Sequence, residues 1–200
     1  MYNNKQEHTN AYAFLMAMAP RFSSPLQGLL AEGQVTLKPI DLYYKVNISD
    51  AGGGTYPVFK QSAKEERGIM NFNETGKLVQ ERGFIFDKLF FGYKADAAAD
   101  KEGELIYNQV PPAALYNADL VFSQDGRSVL RKSVASLVNL GTGQHIDDDL
   151  YEFGTWLYLI DNKKVDITLE FPDGLNMPAG TEHYIYIRIP GYETNRKTTR

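Results

Sequence analysis

Residues 163–196 read KKVDITLEFPDGLNMPAGTEHYIYIRIPGYETNR, and they decide the fold. Val165, Ile167, Leu169 and Phe171 alternate with Asp166, Thr168 and Glu170. That period of two puts apolar side chains on one face of an extended chain and polar ones on the other. Pro172 to Gly180 is rich in turn formers. Ile185, Ile187 and Ile189 then alternate with Tyr184, Tyr186 and Arg188. Two half-buried strands joined by a Pro/Gly turn, with no helical period between them, point to an all-β protein.

Upstream the signal repeats. Ile40, Leu42, Tyr44, Val46 and Ile48 alternate with Asp41, Tyr43, Lys45 and Asn47. Gly83 to Tyr93 (GFIFDKLFFGY) is apolar on both faces, which predicts a central strand. Tyr56 to Gln61, Leu105 to Val110, Ala118 to Gln124, Ser128 to Leu137 and Trp156 to Ile160 are further strand candidates. Asp125-Gly126 is a hairpin signal, and Asp50 to Pro57, Asn73 to Gly76 and Asn139 to Asp149 read as turns or loops. Roughly eight to ten strands with turn signals about every 8–15 residues are the pattern of a sandwich, barrel or jelly roll, and a single jelly roll or β sandwich of about eight strands is expected. No strand–helix–strand rhythm suggests a doubly wound sheet.

The N-terminus differs. Ala11 to Ala19 (AYAFLMAMA) lies in the one helix candidate, roughly Thr9 to Ala19, stopped by Pro20. It is too short to span a bilayer, and its leader carries Glu7 and a single lysine, so the chain is read as unprocessed and soluble. The segment RFSSPLQGLLAEGQ after it reads as irregular. The domain expectation is therefore an N-terminal arm over 1–33, a β domain over 34–195 and a basic tail over 196–200. The arm has two readings: a helix buried on its own domain, or a segment that docks on a neighbouring subunit through Phe14, Leu15, Met16 and Met18.

Composition limits the function. With 43% apolar and 23% charged residues the 200-residue chain is an ordinary globular one and not a disordered one. Cys 0 excludes disulfide scaffolds, thiol nucleophiles and zinc–thiolate sites. The net charge of −4 argues against wrapping nucleic acid as the main task. His8, His145 and His183 are far apart in sequence, and no nucleophile elbow, P-loop or zinc-protease motif occurs. No cofactor is expected, and an enzyme ranks last among the readings. Asp147-Asp148-Asp149, with Glu152, reads either as a calcium loop or as a solvated acidic loop. Asp87 is notable as an acid inside an apolar strand; an outward-facing residue paired with Lys88 is the plainer account. Trp156 is the candidate for stacking on a sugar if the chain is a carbohydrate- or cell-surface-binding sandwich, although its apolar flanks also suit a core residue.

The order of parts from Trp156 to Arg196 resembles the closing half of jelly-roll capsid proteins of tailless or small icosahedral bacteriophages. These parts are a strand, an Asp161-Asn162 turn, an alternating strand, the Met177-Pro178-Ala179-Gly180 turn and a closing strand into Pro190-Gly191-Tyr192-Glu193. ETGKLVQERGFIFDKLFFGYKAD and PPAALYNADLVFSQDGRSVLRKSVASLV resemble the strand and hairpin that precede them, so the likeness covers about residues 68–195. The resemblance implies a virion structural protein, assembled in the host cytoplasm, whose partners are copies of itself and other virion proteins. A membrane partner fits a lipid-containing virion. Tyr184 and Tyr186 join the arm residues as expected subunit contacts, and Arg196, Lys197 and Arg200 as the expected contact with packaged nucleic acid.

Overall fold

The computed structural model describes residues 4–59, 66–72, 76–138 and 149–197. His145, Asp147, Asp148, Arg200, most of the loop over 139–149 and most of the turn over 73–76 lie outside them. Among the described residues, eight strands form two four-stranded antiparallel sheets. They are β1 (Val35–Asn47), β2 (Thr55–Pro57), β3 (Phe84–Asp96), β4 (Asp119–Gln124), β5 (Arg127–Ser133), β6 (Tyr151–Leu159), β7 (Val165–Glu170) and β8 (Glu182–Arg196). One sheet runs β1-β8-β3-β6 and the other β2-β7-β4-β5. The chain changes sheet at every connection except the β4–β5 hairpin, which makes the sandwich a jelly roll. Asp125 and Gly126 at that hairpin tip both have positive φ (54° and 75°), as the tight turn requires.

The core between the sheets comes from the alternating residues. Leu42, Tyr44, Val46, Phe86, Phe91, Ile185, Ile187 and Ile189 face Leu120, Phe122, Val165, Ile167 and Leu169, all buried. Each large side chain so buried contributes about 1.5–3 kcal/mol. β8 lies between β1 and β3, in register from Val35↔Arg196 to Asn47↔Tyr184 on one side. β3 lies between β8 and β6, the central place its two apolar faces required.

The second face of β3 is covered by helices. Helix α1 (Asn4–Met18) leads through a 3-10 turn (Ala19–Arg21) to α2 (Ser24–Ala31). Ala11, Leu15, Phe22, Leu26 and Leu30 pack on Val35, Leu37 and Ile85, with Trp156, Tyr158 and Tyr192 at the margin. The stretch expected to be irregular is thus half helix. Its signals are local: the Ser23 hydroxyl accepts from the Leu26 N–H, Pro25 sits in the first turn, and Gly33 turns the chain out at φ 66°.

Two other expectations fail. Leu105 to Val110 is not a strand. Gln109 takes the place of a pairing partner: its N–H donates to Tyr93 O and its side-chain oxygen accepts from the Ala95 N–H. Ile106 is left 74% exposed and Val110 62% exposed. The strand expected through Leu137 ends at Ser133, where α4 (Val134–Leu137) begins and the Val134 N–H reaches Ala118 O. A further short helix, α3 (Ala113–Tyr116), follows Pro111-Pro112.

Candidate functional site

The pairing of β3 with its neighbours breaks on both sides at Asp87. Toward β6 the register passes from Phe86↔Leu157 to Lys88↔Glu152, so Phe153, Gly154, Thr155 and Trp156 bulge opposite Asp87 alone. Gly154 takes φ 69° within that bulge. Toward β8 the register passes from Phe86↔Gly191 to Phe90↔Arg188, leaving one extra residue on β3. Bulges re-aim side chains and gather near functional sites. Here they turn Asp87, Lys88, Glu152 and Trp156 toward the N-terminal helix.

A cavity of about 370 Å³ lies at that junction. Gln6, Glu7 and Asn10 of α1 line one side, Asp87 and Lys88 the floor, and Glu152 and Trp156 the other side. Lys88 Nζ stands 3.7 Å from Glu7 and 3.5 Å from Glu152. Burial pulls its ammonium down, but Glu7, Asp87 and Glu152 together outweigh that and hold it above the ordinary lysine range. The Asp87 carboxyl moves up. Half burial is the main cause, Glu7 and Glu152 add to it, and Lys88 opposes it. The indole of Trp156 leans on the Tyr192 ring, 6.1 Å between centroids. The two residues singled out separately in the sequence, Asp87 and Trp156, thus share one cavity. Their convergence was not legible, because it depends on an insertion in β6 and on a helix arriving from outside the sandwich.

The remaining candidates fall elsewhere. Leu15 of α1 is fully buried in the chain's own second core, and Tyr184 is fully buried with its hydroxyl donating to Ala98 O at 2.7 Å. Neither has surface left for a subunit contact in this conformation, because intramolecular packing has used it. Phe14 and Met18 are half-buried and Met16 is 40% exposed. Tyr186 sits in an aromatic group on the outer face of the same sheet. Its ring is 5.3 Å from Phe90 and 5.5 Å from Tyr107, and Lys45 Nζ lies 5.2 Å over it. Arg196 ends β8 opposite Val35, and Lys197 is tied down, its Nζ donating to Gly33 O at 2.7 Å. Among the described residues no group of three or more histidines or acids is placed to hold a metal ion.

At the far end of the sandwich His183 is buried between three segments. Its Nδ1 lies 2.6 Å from the Tyr93 hydroxyl, its Nε2 lies 2.8 Å from Pro178 O, and its backbone N–H donates to Ser49 Oγ. Pro178 O can only accept, so Nε2 carries the proton and Nδ1 accepts from Tyr93. Both ring nitrogens are thereby paired, and His183 knots the β1–β2 and β7–β8 turns to β3.

Comparison with protein families, curated proteins and solved structures finds no match. What the fold and the site define by themselves is an eight-stranded jelly-roll sandwich with a helical layer on one sheet and a bulge-lined cavity beneath that layer.

Proposed function

We propose that this chain is a virion structural protein, a capsid subunit that assembles into an icosahedral shell. The observation that carries the reading is the strand order, β1-β8-β3-β6 against β2-β7-β4-β5. It is the topology implied by the resemblance of the closing segment, and it is one that shell proteins share with lectins and cupins. Fold alone does not assign function, so the packing matters as well. Among the described residues, the space between the sheets is filled by Phe86, Phe122, Leu169, Ile187 and their neighbours. A jelly roll that holds a small molecule between its sheets needs that space open. Function then belongs on the outside, where shell contacts lie. Met16, Phe14, Met18 and Tyr186 keep surface for such contacts, and Arg196 and Lys197 supply local positive charge at the end of β8.

The test is assembly of the purified full chain, followed by light scattering and negative-stain electron microscopy over a range of salt and protein concentration. Closed shells or discrete large oligomers are expected. A monodisperse monomer under every condition refutes the reading. Deleting residues 1–33 is not a clean version of this test, since it would strip the cover from Val35, Leu37 and Ile85. Met16→Glu is cleaner, because the side chain is exposed and its loss leaves the core intact.

A further inference from the structure

We propose that the cavity between α1, β3 and β6 binds a pyranose sugar that carries no acidic group. The inference stands apart from shell assembly and can fail without it. Its basis is the mixture of groups around one open space. Gln6 and Asn10 supply amides that both donate and accept, Lys88 donates, and Asp87 and Glu152 accept. Trp156 adds an aromatic side chain to the same lining.

A pyranose has the matching form. Its rim of hydroxyls needs donors and acceptors in one plane, and its C–H faces need an aromatic ring to lie against. The volume of about 370 Å³ falls within the range of small-ligand sites. A purely apolar guest would strand the amide and carboxyl groups, and a flat aromatic guest would leave the hydroxyl-matching rim unused.

The charge of the lining sets the selectivity. Glu7, Asp87 and Glu152 face one ammonium, that of Lys88. A carboxylate on the sugar would meet an excess of negative charge in a partly desolvated place, while an ammonium would be welcomed. Glucose, glucosamine and glucuronate share one ring and differ in charge, so they separate sugar recognition from simple electrostatics.

The experiment is a titration of the full chain with each of the three. It is read by the fluorescence of Trp156, the one tryptophan, and by amide NMR shifts at Asn10, Lys88 and Glu152. Glucose and glucosamine are expected to bind in the millimolar range, with glucosamine tighter and glucuronate weaker than glucose by about tenfold. Trp156→Ala should weaken glucose by about tenfold. Should that variant fold poorly, Glu152→Gln serves instead, since its side chain is exposed at the rim. It should narrow the gap between glucosamine and glucuronate while leaving the protein folded. The proposal is overturned if glucose leaves all these signals unmoved up to about 100 mM, or if glucuronate binds as well as glucosamine. It is also overturned if glucosamine alone binds, which would make the cavity a site for cations and not for sugars.

Discussion

Asp161 ties the helical layer to the sandwich. It is fully buried in the β6–β7 turn. One oxygen accepts from the Ser23 N–H at 2.9 Å, and the other accepts from the Ser23 hydroxyl and from the Glu81 N–H at 2.8 Å. Ser23 is the N-cap of α2, and Glu81 holds a positive φ of 67° in the approach to β3. One carboxylate therefore joins the helix start, the turn before β3 and the β6–β7 turn. Asp161→Ala removes the acceptor of two backbone donors and one hydroxyl. The hydroxyl can turn to solvent, since Ser23 is only half-buried. The two N–H groups are fixed in the backbone, and each costs about 1–3 kcal/mol when left unpaired. The expected loss is about 3–5 kcal/mol in urea unfolding followed by far-UV circular dichroism and by Trp156 fluorescence. Ser23→Ala should cost about 1–2 kcal/mol for the cap. The double variant should fall short of the sum by about 1 kcal/mol or more, because both changes break the same bond. An Asp161→Ala loss under about 1 kcal/mol, or strict additivity, refutes the account.

Three more outcomes follow from the geometry. Gly191→Ala should destabilise by about 3 kcal/mol or more, since an added Cβ would lie 2.4 Å from Ile85 O, a backbone atom that cannot yield; an unchanged urea midpoint would contradict the close approach. Asp87→Asn should raise stability at neutral pH and leave it unchanged in acid. The folded-state carboxyl is pushed up by burial, so its favourable contribution belongs to low pH and is lost as pH rises through the raised value; a neutral-pH loss in the unfolding midpoint would show that the Lys88 attraction outweighs burial. Tyr93 is pushed up to about 12, chiefly by burial. Stability should therefore hold below the ordinary tyrosine value near 10 and fall as pH rises from there to about 12. Tyr93→Phe should remove its share of that alkaline decline in unfolding midpoints, which Tyr56, Tyr107 and Tyr186 also feed, and should leave the absorbance of one late-ionising phenol missing.

The alternating stretches made the sheets readable, because a strand with one face in a core must place its apolar residues two apart. β7 carries that pattern along its whole length, and β1 and β8 carry it from Leu42 to Asn47 and from Ile185 to Pro190. The unalternating β3 was readable as central, though not why its second face is apolar: Ile85 meets α2 and not another sheet. Where side chains replaced backbone pairing, as Gln109 does beside Tyr93 and Ala95, a β-like composition misled. α2 starts on Ser23 and Pro25 inside a stretch whose Ser24, Gly28 and Gly33 give it an irregular character. The candidate site was legible only as separate oddities. An acid in an apolar strand and a lone tryptophan were visible, but the register shifts that join them belong to pairing between distant segments.

The pairing of β1 with β8 has a consequence for how the chain is made. The register Val35↔Arg196 links residues from opposite ends of the sequence. β3 likewise waits for β8 on one of its sides. A nascent chain leaving the ribosome cannot complete that sheet until residue 196 is free of the exit tunnel, so its long apolar strands wait without their final neighbour. Topologies of this kind fold slowly and expose sticky intermediates. Lys38 and Pro39 on the outer strand, facing Glu193 and Tyr192, are residues that discourage stray strand addition during that interval.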